Sequence, residues 1–274
     1  MAIITLSREL GSLGTEIAET LSSRLGYPRL DKESLEVLLR ELGMSEPRLV
    51  ADDEKRPGLW EQLTREKIRY LDFMKAAMYR FAVDRDCIVV GRGGNIVFRG
   101  IPGTLKVRVT APPRVRAARL RERLSIDEAH AVRLIHQSDH DRAGYHRYFF
   151  NAAWDCAADY DLVVNTEAIS PSETCDMVAA LLESPGFASA AGRARELLVD
   201  ARIAQDVIVA IGYRDRVNVT ALDVVCQKGV VSIHGIVRHP SVLDECTRIA
   251  AAVEGVTKVV NYMEVLEFAY YAGV

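Results

Sequence analysis

Short apolar runs alternate along residues 1–185 with longer stretches in which apolar residues recur every three or four positions. The short runs carry little charge, which is typical of strands buried on both faces of a parallel sheet. The longer stretches, such as the one with Ile17, Leu21 and Leu25, are typical of amphipathic helices. Strands are predicted at 3–6, 87–90, 105–110 and 161–165, and a polar loop at 44–58. Helices between successive strands predict right-handed crossovers and an α/β fold with a parallel sheet.

The pattern changes after residue 185. Pro185-Gly186 and the Ala, Gly and Ser residues at 188–192 predict a linker. Beyond it the order is α-β-β-α-β, with a hairpin turn at Lys228-Gly229 and a capping box of Ser241 and Asp244. The elements are a helix at 193–204, strands at 219–226 and 230–237, a helix from 241 and a last strand at 256–265. We therefore divide the chain into a domain at 1–185, a linker at 186–194, a small α+β domain at 195–267 and an aromatic tail at 268–274.

Composition narrows the functional classes. Charged residues make up 27% of the chain and hydrophobic residues 49%, which is ordinary for a globular protein. The net charge of −3 argues against binding nucleic acid by bulk charge. No run of about 20 apolar residues occurs, so we expect no transmembrane segment, and no signal peptide is visible. The 5 cysteines are widely spaced without a C-x-x-C pair, which predicts reduced thiols in a cytoplasmic protein.

Small residues follow the first predicted strand and lead directly into the first helix. A loop in that position can bind a phosphate with its backbone N–H groups, helped by the N-terminus of the helix. When Gly11 to Thr15 are aligned with the end of the P-loop pattern G-x-x-x-x-G-K-[ST], the first Gly becomes Arg8 and the second becomes Leu13. Gly14 then stands at the Lys position and Thr15 at the hydroxyl position. An ordinary turn between a strand and a helix explains the same residues.

Two further features lie where a nucleotide could bind in such a fold. Gly91 to Asn95 form a second glycine-rich turn after a buried strand, and ligands of parallel sheets collect at that edge. Arg92 in this turn is a candidate phosphate ligand, although it could also be a surface arginine. Asp31 either caps the following helix or contacts a ribose or base.

Positive charge is concentrated in the stretch from Lys106 to Arg147, which holds ten Lys and Arg against five Asp and Glu. Arg116, Arg119 and Arg123 fall at helical steps on one face. This face is either simply solvated or belongs to a lid that closes over a polyphosphate and neutralises the transferred phosphoryl group. The histidines of the stretch do not show a zinc-binding pattern.

Several motifs taken together resemble the cytidylate kinase-like proteins, which are relatives of P-loop nucleoside monophosphate kinases. The motifs begin with residues 4–12, Asp31-Lys32-Glu33 and 90–95, and they continue with 138–142, Tyr145, Arg147 and 160–166. The resemblance covers about residues 1–185 and implies a P-loop NTPase-like sheet. The part at about 195–267 resembles a BON domain, through residues 215–218, 230–235, 237–238 and 255–259. BON domains are thought to bind ligands, lipid surfaces or proteins.

The resemblance implies ATP and Mg²⁺ as cofactors and assigns roles to individual residues. The donor phosphates would lie against Ser7, Arg8, Gly11, Ser12, Gly14 and Thr15, with the Thr15 hydroxyl facing the metal. Asp31 would lie in the monophosphate pocket, where Arg92 would bind the acceptor phosphate. The lid would contribute Arg116, Arg119, Asp139 and Arg142, with Arg92, Arg119, Asp139 and Arg142 as the catalytic set.

The departures from the family pattern leave two functions open. Gly14 replaces the P-loop lysine, and both acids that flank Gly-Arg in true cytidylate kinases are absent around Arg92. The first hypothesis is a kinase that transfers the γ-phosphoryl group of ATP to CMP, dCMP or a related acceptor. The second is a nucleotide-sensing pseudokinase whose BON domain binds a partner, a ligand or a membrane surface. A structural protein with a vestigial pocket is a third possibility, and the chain could also form a homo-oligomer.

Overall fold

The computed structural model describes residues 1–44 and 59–266, so the predictions for 45–58 and for the aromatic tail lie outside the described residues. The described chain forms two compact units, each built from two stretches: 1–38 with 84–195, and 39–83 with the residues from 196 onward. The strands are β1 (Ile3–Arg8), β2 (Arg29–Leu30), β3 (Cys87–Val90), β4 (Thr104–Thr110), β5 (Leu162–Asn165), β6 (Thr220–Gln227), β7 (Val230–Val237), β8 (Lys258–Asn261) and β9 (Glu264–Val265). The helices are α1 (Gly14–Leu25), α2 (Lys32–Glu41), α3 (Leu59–Ala82), α4 (Gly94–Val97), α5 (Pro113–Leu124), α6 (Glu128–Phe150), α7 (Pro171–Glu183), α8 (Pro185–Val209) and α9 (Ser241–Ala251).

The first unit is built on a parallel five-stranded sheet in the order β2-β3-β1-β4-β5. Leu6 of the central strand β1 is in register with Val90 of β3 on one side and Val107 of β4 on the other. The order of the strands reverses at β1, so the carboxyl end of β1 is the switch point where ligands of such sheets bind. The predicted α/β architecture with a parallel sheet is confirmed.

The apolar runs form the core of this unit because both faces of the sheet are covered. Ile3 and Ile4 are completely buried in β1. Ile17 and Leu21 of α1 and Val178 of α7 pack in the same cluster. At about 25 cal/mol per Å² of apolar surface, each of these side chains contributes roughly 1.5–3 kcal/mol to folding. The buried central strand therefore holds its carboxyl end, and the loop that follows it, in a fixed position.

The second unit contains a mixed sheet in which β6 and β7 are antiparallel and both β8 and β9 run parallel to β7. The hairpin turn is at the predicted place, because Lys228 and Gly229 both have positive φ angles, 51° and 76°. The carboxylate of Asp200 on α8 accepts the backbone N–H groups of both turn residues. A buried acid on a helix thus fixes the conformation of the hairpin.

Two details of the predicted C-terminal domain are corrected. The last strand is not continuous over 256–265, since it is divided into β8 and β9 with Tyr262 and Met263 between them. Ser241 and Asp244 do not form a capping box, because Pro240 takes the N-cap position and no side chain caps α9. Ser241 already lies inside the first helical turn, where its hydroxyl cannot act as the cap.

The residues expected to form a linker, 186–194, are helical in the structure, because α8 continues through them. Alanine is the strongest helix former, and the four alanines in this stretch outweigh its two glycines and one serine, which disfavour a helix. Helix α3 belongs to the second unit, where the carboxylate of Asp72 accepts hydrogen bonds from Gln205 and Tyr213. Arg80 of α3 also pairs with the buried Asp206 at 2.8 Å. No helix among the described residues is long and apolar enough to cross a membrane.

Candidate functional site

The loop between β1 and α1 lies at the switch point of the parallel sheet. Its carbonyl oxygens face the protein, since Gly11 O accepts from Arg119 Nη1 at 3.3 Å and Ser12 O accepts from Thr166 Oγ1 at 2.9 Å. No side chain caps α1, so the first amides of the helix keep their donors for a ligand. Together with the positive end of the helix dipole, this arrangement suits an anion.

Leu13 has a left-handed backbone, with φ 62° and ψ 17°. This conformation costs a residue with a side chain roughly 1–2 kcal/mol, and glycine is the residue that adopts it freely. The loop therefore keeps the curled shape of a phosphate-binding turn although leucine stands in it. The strain is local to the residue directly before the start of α1.

Arg8 is the last residue of β1, and its side chain extends from the loop before α1 to the turn after β3. A Cβ atom on Gly14 would lie 2.3 Å from Arg8 Cβ, and a Cβ atom on Gly91 would lie 2.3 Å from Arg8 Nη1. Both positions are therefore glycine because the side chain of Arg8 lies against them. Arg8 Nε is buried and has no hydrogen-bond partner among the described residues. Burial, with the nearby charges of Arg142 and Arg92, lowers the pKa of Arg8 to about 10.

The turn after β3 presents Arg92 at the same edge of the sheet. Gly91, Arg92 and Gly93 have consecutive positive φ angles of 74°, 54° and 71°, which bend the chain sharply into α4. The guanidinium of Arg92 lies 5.3 Å from the ring centroid of Tyr145 and 3.9 Å from Glu36 Oε1. An arginine held over an aromatic ring is positioned for a ligand, so the structure does not leave Arg92 on an open surface.

Helices α5 and α6 form the arginine-bearing segment over this edge. Arg116 of α5 is 5% exposed and makes a two-pronged pair with Asp139 of α6, at 3.1 and 2.9 Å. Arg119 also donates to the backbone carbonyl of Thr166 at 2.7 Å. Both arginines are therefore engaged inside the protein, and Asp139 orients Arg116 rather than facing a ligand. Arg123 lies apart from them, exposed and within 3.4 Å of Glu16.

Arg142 of α6 lies beside the indole of Trp154, with its guanidinium 5.8 Å from the ring centroid. Burial lowers its pKa, while the nearby carboxylate of Asp139 acts in the opposite direction. Arg142 Nη1 is buried and finds no hydrogen-bond partner within the described part of the chain. A buried, unsatisfied guanidinium nitrogen beside Arg8 is what an anion-binding site would provide.

Glu9 is a member of the site that the sequence analysis missed. Its carboxylate accepts from Arg108 Nη2 at 3.0 Å and Thr110 Oγ1 at 2.7 Å, and it lies 3.5 Å from Arg116 Nε. These contacts tie the loop to β4 and to α5. The signal was present in the sequence, since an arginine inside an otherwise apolar strand such as Arg108 requires a buried partner.

The other predicted site residues lie as follows. Asp31 caps α2, because its carboxylate accepts the N–H of Ser34 at 3.0 Å and the Ser34 hydroxyl at 2.6 Å, and this hydrogen bonding lowers the pKa of Asp31. The Ser7 hydroxyl accepts from Trp154 Nε1, and the Ser12 hydroxyl donates to Glu9 O. The hydroxyls of Ser7 and Ser12 are thus used within the protein, and those residues contribute only backbone to the loop.

The metal-binding potential of this edge is limited. Thr15 is exposed in the first turn of α1. Within residues 1–44 and 59–266, no three His, Cys, Asp or Glu side chains are grouped as a metal site would require. Glu9 and Asp139 are paired with arginines. A Mg²⁺ ion at this edge would therefore depend largely on phosphate and water oxygens from a ligand, which is how Mg²⁺ often binds.

The first unit therefore combines a parallel sheet in this strand order, an uncapped helix start after β1 and arginines on α5 and α6. Residues 3–168 match the cytidylate kinase-like family. The chain belongs to that family, and residues 199–267 match the BON domain. Both predicted resemblances are confirmed.

Several solved structures are similar to this chain at low sequence identity. An uncharacterized protein from Eubacterium ventriosum ATCC 27560 is 18% identical with a TM-score of 0.53, covering 66% of this chain and 98% of its own. Shikimate kinase from Bacteroides thetaiotaomicron is 15% identical with a TM-score of 0.39, and the match covers 67% of this chain and 99% of the kinase. The YorR protein from Bacillus subtilis, solved in complex with phosphorylated GDP, is 16% identical with a TM-score of 0.35. The match covers 66% of this chain and 96% of YorR. No curated protein matches the sequence.

Proposed function

We propose that the first unit binds a nucleotide by its phosphates and transfers the γ-phosphoryl group of ATP to CMP, dCMP or a related nucleoside monophosphate. The observation that carries this proposal is the pair of buried guanidinium nitrogens, Arg8 Nε and Arg142 Nη1, without partners among the described residues. A buried charge without a partner is costly, and a bound phosphate would supply the missing acceptor oxygens. Membership of the cytidylate kinase-like family supports a nucleotide as the source of that phosphate.

The chain's own residues would bind, orient and stabilise charge. The amides at the start of α1 would donate to the donor phosphates, and Arg92 would donate to the acceptor phosphate. Arg142 would stabilise the charge that develops during in-line transfer, while Arg119 and Asp139 hold the loop and α5 in place. ATP would supply the phosphoryl group, with Mg²⁺ on its phosphates and the Thr15 hydroxyl beside them.

A second function, nucleotide sensing without transfer, is favoured by a specific observation. Gly14 stands where P-loop kinases have lysine, and Arg8 Cβ lies directly against it. Removing one electrostatic donor from an active site costs about 2.7–4 kcal/mol of transition-state stabilisation, so binding could persist while transfer is lost. The BON domain would then pass the nucleotide-bound state to a protein or an anionic lipid surface in the cytoplasm, with or without self-association.

The experiment is a product assay combined with calorimetry on the full chain. Purified protein with Mg²⁺, ATP and each nucleoside monophosphate is assayed for diphosphate by chromatography, and binding is measured separately. A kinase forms CDP above the no-enzyme control, and Arg142→Gln lowers the rate. Arg24→Gln serves as the matched control, because Arg24 is an exposed residue of α1 that forms a surface ion pair with Asp176 of α7. Binding without product supports the sensor, and absence of binding for every nucleotide refutes both functions.

The role of the second unit is tested separately. Cosedimentation of the full chain with phosphatidylglycerol vesicles, and with phosphatidylcholine vesicles as the control, measures the proposed lipid contact. If the BON domain contacts anionic lipid, the chain pellets only with the first vesicles. Equal recovery with both types contradicts the lipid contact and leaves a protein partner as the proposal.

A further inference from the structure

Arg8 stands at the position of the first P-loop glycine, yet its guanidinium lies on the far side of the loop. Its Cβ lies against Gly14 at the start of α1, and its Nη1 lies against Gly91 in the turn after β3. The charged end of the side chain is therefore beside the turn that presents Arg92. The N-terminal amides of α1 are next to its aliphatic part.

We infer that Arg8, Arg92 and Arg142 together form a subsite for a phosphomonoester, the single terminal phosphate of the acceptor, and that Arg8 does not serve the donor polyphosphate. The inference rests on the proposed function, and it revises the role at the donor phosphates that the family resemblance implied for Arg8. It also explains why Gly14 and Gly91 both lack side chains, since each is in contact with Arg8.

Three arginines and several acids set the charge of this subsite. Arg142 and Arg92 both act on Arg8 from close by, and burial makes their mutual repulsion stronger. The acids that face Arg8 are Glu33 and Asp31, and Asp31 is already hydrogen-bonded to Ser34. Glu36 reaches Arg92 only at 3.9 Å. Asp139 and Glu9 also act on Arg142. Buried guanidinium nitrogens that lack acceptors among the described residues, and not the net charge of the cluster, therefore favour an anion.

A phosphomonoester fits this arrangement better than a polyphosphate does. It carries up to two negative charges and three terminal oxygens on one phosphorus atom, so three guanidinium groups can donate to it from different directions. Arg8 Nε and Arg142 Nη1 are buried donors that still lack acceptors among the described residues. Free phosphate has the same chemistry, and the experiment separates it from a nucleotide by including both.

Calorimetry with four ligands tests the inference on the full chain. The ligands are CMP, inorganic phosphate, cytidine and ATP, and the proteins are wild type, Arg8→Gln, Arg92→Gln and the surface control Arg24→Gln. We expect Arg8→Gln and Arg92→Gln to weaken CMP binding by roughly tenfold or more and ATP binding by less than about twofold. Phosphate is expected to compete with CMP but not with cytidine, because only the phosphate contacts the subsite.

The outcomes are distinguishable. If Arg8→Gln weakens ATP and leaves CMP unchanged, Arg8 serves the donor and the inference is overturned, while the proposed function stands. If no nucleotide binds to the wild type, the proposed function itself fails. Thermal unfolding of each variant shows whether a loss of binding comes from unfolding, and Arg92→Gln provides a second reading because Arg92 is partly exposed.

Discussion

Replacing Gly14 by alanine tests the packing of Arg8 against the start of α1. The new Cβ would lie 2.3 Å from Arg8 Cβ, 3.0 Å from Arg8 Cγ and 3.4 Å from Val109 Cβ. Carbon atoms in good contact are about 3.5–4.0 Å apart, so the strand or the helix has to move. Overpacking of this kind costs about 1–3 kcal/mol, which exceeds the gain of up to about 1 kcal/mol from replacing glycine in a helix. We expect a net loss of about 1–2 kcal/mol of unfolding free energy.

A double-mutant cycle attributes that loss to Arg8. Arg8→Gly removes both atoms nearest to the new methyl group, so Gly14→Ala should cost little in the Arg8→Gly background. We expect a coupling free energy of about 1 kcal/mol or more, which is within the range for residues in direct contact. The intrinsic cost of glycine in β1 cancels in the cycle.

The assay is urea unfolding followed by the fluorescence of Trp154, in a Trp60→Phe background that leaves Trp154 as the single tryptophan. Trp154 is buried in the first unit, and its indole N–H donates to Ser7 Oγ at 2.9 Å. Gly144→Ala in α6 is the control, because a Cβ there meets nothing within 4 Å. If Gly14→Ala is as harmless as Gly144→Ala, or if its cost is unchanged without Arg8, the placement of Arg8 is refuted.

Three further predictions concern other parts of the two units. Asp139→Asn leaves buried Arg116 with a weaker partner, so we expect a loss of about 1–3 kcal/mol and faster amide exchange in α5 and α6. Burial, assisted by Arg108, lowers the pKa of His146 to about 4 from the ordinary 6.5, so the unfolded chain binds the proton first as pH falls. Stability should therefore decline between these two pH values by up to about 3 kcal/mol, and His146→Phe should remove much of that decline in melts at each pH. Asp200→Ala frees the hairpin N–H groups, and we expect a loss of about 2–3 kcal/mol in thermal unfolding of the second unit.

Each of these predictions has a matched control on the same element or the same unit. Asp141→Asn changes an exposed acid of α6, His140→Phe changes an exposed histidine of α6, and Asp223→Ala changes an exposed acid of β6. A control that behaves like its test variant would contradict the role assigned to the buried residue. For His146, an unchanged pH profile in the phenylalanine variant would be the contradicting result.

The sequence carried the architecture because apolar runs and turn residues act locally. Runs without charge identified the central strands, and Lys228-Gly229 identified the hairpin, since few residue pairs accept two positive φ angles. The breaks in the pattern were harder to interpret. Alanine, glycine and serine at 186–194 are compatible with both a linker and a helix. The helical residues that follow in the sequence decide between them, because α8 continues through this stretch.

The site could be predicted as a location but not as a set of roles. The structure brings several of these arginines to one edge of the sheet, yet spacing alone could not show that Arg116 is buried against Asp139. Asp31 was equally compatible with a cap and a ligand, and only the contact with Ser34 distinguishes them. The direction of a long side chain such as Arg8 depends on which residues across the fold lack a Cβ, and one-dimensional spacing contains no such information.

Helix α3 has a practical consequence for dissecting this protein. The family match at 3–168 includes α3, yet Phe73, Met74 and Met78 of that helix are buried in the unit that also contains the BON domain. A fragment that stops before α8 would delete Gln205, Tyr213 and Asp206, the hydrogen-bonding partners of α3. Such a truncation would expose apolar helix surface and tend to aggregate. If that fragment were inactive, the cause could be the loss of packing around α3 and not a defect in the site. Adding back the missing C-terminal part would distinguish a folding defect from a catalytic one.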